Sequence, residues 1–180
     1  MKIRVDHIQH KSLTLHSEDP AASFPVLSRM HSDGECTFAA PVQSDITAER
    51  EFDHIRVSGR VSTRITLACS RCLADYETDI DSSFTIFFRK ATSQDSVEED
   101  EIELNEQDLI SATYSGDEID LTHEIEEQVV MEIPLKPLCH EECKGLCPVC
   151  GADLNQADCS CPRSQTSLKF SALKDFKVSR

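Results

Sequence analysis

The stretch His54-Ile-Arg-Val-Ser-Gly-Arg-Val-Ser-Thr-Arg-Ile-Thr-Leu-Ala-Cys-Ser-Arg-Cys-Leu73 decides the fold. Ile55, Val57, Val61, Ile65 and Leu67 take odd positions, while Arg56, Ser58, Arg60, Ser62, Arg64 and Thr66 take even ones. In a β-strand successive side chains point to opposite faces, so this period of two predicts one half-buried strand or two consecutive ones from Ile55 to Cys69. Gly59 falls within the apolar set and predicts a bulge or a bend.

On the N-terminal side, Phe38, Ala40 and Val42 alternate with other residues, and Ile46 and Ala48 follow after a shift. That reads as a further extended strand. On the C-terminal side, a third strand-like stretch covers Tyr76–Ile80 and Phe84–Phe88, so residues 36–90 predict an antiparallel meander. Residues 1–34 are polar and mixed, with short strands expected near Ile3–Ile8 and Lys11–Leu15 and turns at Asp19-Pro20 and Asp33-Gly34.

Leu121–Ile133 is the expected helix. Leu121, Ile125, Val129 and Ile133 recur every four residues and form one apolar stripe. Asp120 can cap it, and Glu124, Glu126 and Glu127 suit the positive end of its dipole. Pro134 and Pro137 end it. The resulting fold class is α+β: an antiparallel meander or partly open barrel, a packed helix and a C-terminal cysteine-rich zinc module. The expected organisation is a polar or strand-forming segment 1–35, a sheet-plus-helix domain 36–138, a zinc-binding module 139–162 and a basic amphipathic tail 163–180.

Nine cysteines are present. Six form Cys139-x3-Cys143-x3-Cys147-x2-Cys150-x8-Cys159-x-Cys161, and two form Cys69-x2-Cys72 at the end of the long strand. Cys36 stands alone and reads as a buried thiol. The N-terminus is charged from its second residue, and no apolar run approaches the about 18–20 residues of a membrane span. The expectation is therefore a cytoplasmic chain without a membrane partner, in which thiols stay reduced and clustered cysteines bind metal.

Zinc takes four soft donors at tetrahedral corners, and a Cys-x2-Cys turn supplies two of them. In Cys147-Pro-Val-Cys-Gly151 the proline sets the turn and the glycine permits a positive φ. Eight sulfurs, from Cys69, Cys72, Cys139, Cys143, Cys147, Cys150, Cys159 and Cys161, suffice for one or two structural sites. One pairing joins Cys147 and Cys150 with Cys159 and Cys161, leaving Cys69 and Cys72 to meet Cys139 and Cys143. The other joins the two Cys-x2-Cys knuckles. His123 and His140 are further possible donors, outnumbered by sulfur.

The formal net charge is −15, which disfavours non-specific nucleic-acid binding. The charge is uneven. Residues 94–108 are densely acidic, a solvated loop or an interaction segment. Between His54 and Leu73 there are four arginines and no carboxylate. The tail carries Arg163, Lys169, Lys174, Lys177 and Arg180 against Asp175. Arg56, Arg60, Arg64, Lys169, Lys174 and Lys177 are thus candidate contacts to RNA phosphates, set against the simpler reading of a solvated face and tail. No nucleophile elbow, P-loop, dinucleotide-binding glycine pattern or His-Glu-x-x-His motif occurs.

Several short motifs follow one another in order along the chain. They are Gly59, Leu67-Ala-Cys-Ser-Arg-Cys-Leu73, Asp117-Glu-Ile-Asp-Leu121, Glu132-Ile-Pro-Leu135, Cys139-x3-Cys-Lys-Gly-Leu-Cys-Pro-Val-Cys-Gly-Ala-Asp-Leu-Asn155, Cys159-Ser-Cys161 and Ser167-Leu-Lys-Phe-Ser-Ala-Leu-Lys174. Over roughly residues 36–178 this set resembles the bacterial YceD family, whose relatives also occur in chloroplasts. The tail departs from the family at its Arg163-Ser-Gln-Thr lead-in. The resemblance implies a non-enzymatic ribosome-biogenesis factor acting on synthesis, processing or stability of large-subunit (23S) ribosomal RNA. Its implied partner is pre-ribosomal large-subunit RNA or, alternatively, a ribosomal protein bound without RNA.

Overall fold

The computed structural model describes residues 1–8, 12–91 and 111–162. The acidic segment 94–108 and the tail lysines Lys169, Lys174 and Lys177 lie outside the described residues. The elements run β1 (Lys2–Arg4), β2 (Leu13–Asp19), α1 (Pro25–Ser32), β3 (Thr37–Phe38), β4 (Val42–Glu51), β5 (His54–Ala68), β6 (Asp75–Lys90), β7 (Ser111–Tyr114), β8 (Glu118–Asp120) and α2 (Thr122–Glu132). The main sheet has the order β2-β4-β5-β6-β7, with β3 also pairing β5, and β1 and β8 form a separate two-stranded ribbon. The class is α+β. The sheet is mixed rather than wholly antiparallel, because β7 runs parallel to β6 after a long connection.

The period-two reading of β5 holds along its length. Ile55, Val57, Val61, Ile65 and Leu67 are buried on the inner face. Val42, Ile46 and Ala48 of β4 and Ile80 and Phe88 of β6 join them. α2 lies over this face through Leu121, Ile125 and Val129, the stripe seen in the sequence. The cap position is Leu121, not the expected Asp120, which lies one residue earlier; the Asp120 Oδ1 accepts from the Thr122 backbone N–H at 3.0 Å and from the Thr122 hydroxyl at 2.6 Å.

The expectation at Gly59 is corrected. Gly59 is neither bulged nor bent, since the register runs unbroken through Ile46↔Gly59 and Gly59↔Phe84. Its role is spatial. A Cβ there would lie 2.5 Å from Ile46 Cδ1 and 2.6 Å from Phe84 Cζ, so the missing side chain is the room that these two occupy. Tyr76–Ile80 and Phe84–Phe88 lie in one strand, β6, as the single third stretch expected. The apolar alternation is broken by Ser82, a buried hydroxyl that donates to Gln128 Oε1 of α2 at 3.2 Å, so a polar residue is accommodated on the inner face.

Helix α1 was not anticipated in the N-terminal segment. Pro25 opens it, and Gly34 follows its C-cap residue with φ +75°. That pair of signals brackets the helix in the sequence. Phe24 and Leu27 bury into the same apolar core as the sheet, together with Ile3, Ile8 and Cys36. Burial pushes the Cys36 thiol up, as expected of an unreactive core cysteine. Glu126 of α2 is buried, and its Oε2 accepts from Val26 N–H at 2.9 Å, so one carboxylate joins the N-terminus of α1 to α2.

Candidate metal centre

Strand β5 ends at Ala68, and the loop 69–74 that returns the chain into β6 carries the first knuckle. Leu73 N–H donates to Cys69 C=O at 2.9 Å, and Cys69 N–H donates to Ala74 C=O at 2.9 Å. Leu73 adopts φ +60°. The second knuckle repeats this geometry: Gly151 N–H donates to Cys147 C=O at 2.9 Å, and Gly151 has φ +73°. Leu73 therefore stands where the second knuckle uses glycine, in a conformation costly for a bulky side chain. That side chain is largely exposed.

From the end of α2 the chain passes Pro134 and Pro137 and returns to the first knuckle. Ser70 N–H donates to Pro137 C=O at 2.8 Å, and Arg71 Nη1 donates to Cys143 C=O at 2.8 Å. This brings together Cys69, Cys72, Cys139 and Cys143. The second group is Cys147, Cys150, Cys159 and Cys161. In each group the four sulfurs lie within 4.8 Å of one another. The grouping is the local closure, and the two knuckles stand in different groups. Every one of the eight cysteines singled out in the sequence belongs to one of them.

The residues fit a tetrahedral ion. Four sulfurs about 2.3 Å from a centre stand about 3.8 Å apart. Cys69 Sγ and Cys143 Sγ are 3.7 Å apart, as are Cys72 Sγ and Cys139 Sγ. A disulfide would need about 2.05 Å, and all nine cysteines are free. The electrostatics agree. Burial resists ionisation of Cys69, yet backbone N–H groups of Cys72, Cys139 and Arg71 outweigh it and bring the thiol down to about 6. Cys139 is pushed up to about 12, first by burial and then by the neighbouring sulfurs. In the second group, N–H groups of Cys150 and Val149 bring Cys147 down to about 6, while Cys150 and then burial push Cys161 up to about 12. Four crowded thiols cannot all ionise unaided, and a divalent cation relieves that conflict. Each group can hold a metal ion.

The groups differ in setting. Cys69, Cys72 and Cys143 are buried against Tyr76, Leu138 and Leu146, so the first group sits on the end of the sheet. In the second, Cys147 is buried but Cys150 is exposed. His140 Nδ1 lies 3.1 Å from Cys139 Sγ, beside the sulfur set, and His123 lies on α2 beside Glu126.

The candidate RNA-contacting arginines have carboxylate partners. Arg56 pairs with Glu49 at 2.6 Å and Glu51 at 2.9 Å. Arg60 Nε donates to Asp81 Oδ1 at 2.8 Å, and its Nη2 donates to Oδ2 of the same carboxylate. Arg64 pairs with Asp79 at 2.7 Å. Arg60 holds the Asp81 carboxyl below its usual range. The positive balance read along β5 considered one strand alone. The neighbouring strands set carboxylates against it, and Asp45 and Glu77 share the face by register. The outer face is a ladder of exposed ion pairs, which solvent screening keeps weak.

Comparison with known proteins agrees with this pattern. A family model described as large ribosomal RNA subunit accumulation protein YceD matches residues 57–177. Among curated proteins, the chain is 28% identical over 156 residues to "Large ribosomal RNA subunit accumulation protein YCED homolog 1, chloroplastic" of Arabidopsis thaliana, covering 76% of this chain and 49% of that protein. The protein of the same name from Zea mays is 28% identical over 154 residues, covering 71% and 51%. An uncharacterised protein of Mycobacterium tuberculosis is 26% identical over 144 residues, covering 75% and 65%. The chain spans about half the length of the plant relatives it matches. No solved structure matches it.

Proposed function

We propose that this chain, which belongs to the YceD family, supports accumulation of large-subunit (23S) ribosomal RNA as a non-enzymatic factor, with structural zinc in its two cysteine groups. The observation that carries this reading is the extent of the family match. Residues 57–177 take in most of β5, all of β6 and α2, and all eight clustered cysteines. The family's name describes accumulation of an RNA rather than a reaction, and the cysteine groups offer four sulfurs each, the donor set of closed, structural zinc sites. Zinc supplies a fixed tetrahedral node. The chain's own residues do the rest: the knuckles aim N–H groups at sulfur, and Arg71 and Ser70 hold the C-terminal module against the sheet. The place of action is the cytoplasm in this reading.

The test is depletion of the protein in its native host. The ratio of large- to small-subunit ribosomal RNA is expected to fall and to return on complementation. An unchanged ratio in depleted cells would sink the proposal.

A second reading concerns the direct partner. The ion-paired arginines and the net charge of −15 favour a basic ribosomal protein over naked RNA. If RNA phosphates are bound through Arg56, Arg60 and Arg64, the triple alanine variant binds ribosomal RNA fragments more weakly, and its salt slope drops by about 0.9 for each phosphate no longer neutralised. The second reading expects no change in either, and the tail residues Lys169, Lys174 and Lys177 then remain to be tested for RNA binding in the same assay.

A further inference from the structure

We infer that Asn155 couples the two cysteine groups, so that filling the second strengthens metal binding at the first. This rests on the zinc reading above and concerns a residue with no place in either sulfur set.

Asn155 lies between Cys150 and Cys159, both members of the second group. Its side chain nevertheless reaches the first group. Nδ2 donates to Cys143 Sγ at 3.4 Å and to Asp153 Oδ1 at 2.8 Å, while Oδ1 accepts from Lys144 N–H at 2.8 Å. The Asn155 backbone N–H also donates to Asp153 Oδ1, at 2.9 Å. The segment that carries it lies along the chain linking the two groups. Cys147 N–H donates to Ala152 C=O at 2.8 Å, Leu154 N–H donates to Gly145 C=O at 2.9 Å, and Leu146 bridges Asp153. Gly145 permits the close approach: it has φ +72°, and a Cβ there would stand 3.0 Å from Arg71 C=O.

The physical consequence follows from chain connectivity. The loop 151–158 is anchored at both ends by second-group cysteines, so its shape depends on that group being closed. Once closed, the loop sets an amide N–H on a first-group sulfur. Four thiolates around one divalent cation leave the site with excess negative charge, and an N–H donor to sulfur offsets part of it. Outer-sphere partners of this kind are worth about 10–100-fold in metal affinity. Because the coupling is a free energy between two binding events, it is reciprocal: zinc at either group favours zinc at the other.

The experiment titrates the full chain with zinc against a chromophoric chelator, and follows the two sites by cadmium-113 resonance. Wild type is expected to take up two ions with positive cooperativity. Asn155→Ala should abolish the cooperativity and weaken the first group about tenfold. Cys159→Ser, which opens the second group, should weaken the first by the same factor. The double variant should lose nothing further at the first group, because both changes remove one interaction. Asn155→Asp keeps the acceptor for Lys144 N–H but replaces the donor with a negative charge, so it should be at least as weak as Asn155→Ala, and the first-group cadmium resonance should shift in both. If Asn155→Asp binds like wild type, the residue only caps Lys144 and the inference is wrong. It is equally wrong if Cys159→Ser leaves the first group untouched, or if the two substitutions multiply. A chain that binds two ions independently overturns the coupling alone, whereas a chain that binds none overturns the zinc reading with it.

Discussion

Replacing Cys143 with serine is expected to remove one zinc ion per chain, to unfold the segment from Leu138 to Leu146 and to release the C-terminal module from the sheet. Among its described residues this segment contains no helix or strand, only turns and the isolated Leu146–Asp153 bridge. Its larger apolar residues are few, and Leu138 and Leu146 pack on the cysteines themselves. Nothing else in its make-up offsets the conformational entropy of ordering it. Zinc sites of this kind contribute about 10–16 kcal/mol of apparent binding energy, which in such a segment is folding energy. The sulfur of Cys143 is buried and contacts both Cys69 Sγ and Asn155, so serine leaves a hard oxygen without a matching partner. Native mass spectrometry should report one ion where wild type has two. Amide resonances of 139–146 should collapse toward random-coil positions, while those of 147–161, held by the intact second group, and of β4, β5 and β6 stay dispersed. Chelation of the wild-type protein removes both ions and should collapse 139–161 as a whole. Retained dispersion in 139–161 after complete chelation would show that the segment folds without metal.

The second large effect is expected at Gly59. Valine there should lower stability by about 3 kcal/mol, the upper end of what overpacking a well-filled site costs. The backbone is extended and accepts any residue, so the cost is one of space. A Cβ falls 2.5 Å from Ile46 Cδ1 and within 2.6–2.8 Å of the Phe84 ring. Those side chains cover the middle of β5 on the face that α2 and the core close from the other side. Urea denaturation is the measurement, with a lower midpoint and an unchanged slope. Combining Gly59→Val with Phe84→Ala should recover part of the loss, because the ring is the obstacle. If valine alone leaves the midpoint where it was, the ring does not lie over the glycine, and the bulge expected from the sequence returns as the better explanation.

The behaviour of Gly59 illustrates where reading along the chain stops. A glycine in an alternating strand signals an irregularity, and the signal was sound. Whether the irregularity was in the backbone or in the packing depended on Phe84, twenty-five positions away. Ser82 interrupts the apolar alternation of β6, and its partner Gln128 sits on a helix that the local pattern does not contain. Helix α1 had its proline and glycine markers in place, but Phe24 and Leu27 alone made too short an apolar pattern to imply a helix.

The candidate site was more legible. Cysteine spacing singled out all eight clustered thiols, because a ligand pair within one turn is a local property. Their division into two groups was open between alternatives. It depended on Ser70 meeting Pro137 and on Arg71 meeting Cys143.

The charge on the outer sheet face shows the same division most clearly. Sequence by itself determined that β5 alternates, that α2 carries one apolar stripe, and that eight cysteines occur at ligand spacing. Each follows from neighbours a few residues apart. Only the tertiary structure decided that Arg56, Arg60 and Arg64 face Glu49, Glu51, Asp79 and Asp81, that Glu126 joins two helices, and that Asn155 reaches the sulfur of the other cysteine group. Coulomb and hydrogen-bond energies fall off over a few ångströms of space, whatever the distance along the chain. Strand register and loop closure, not composition, set which groups come that near.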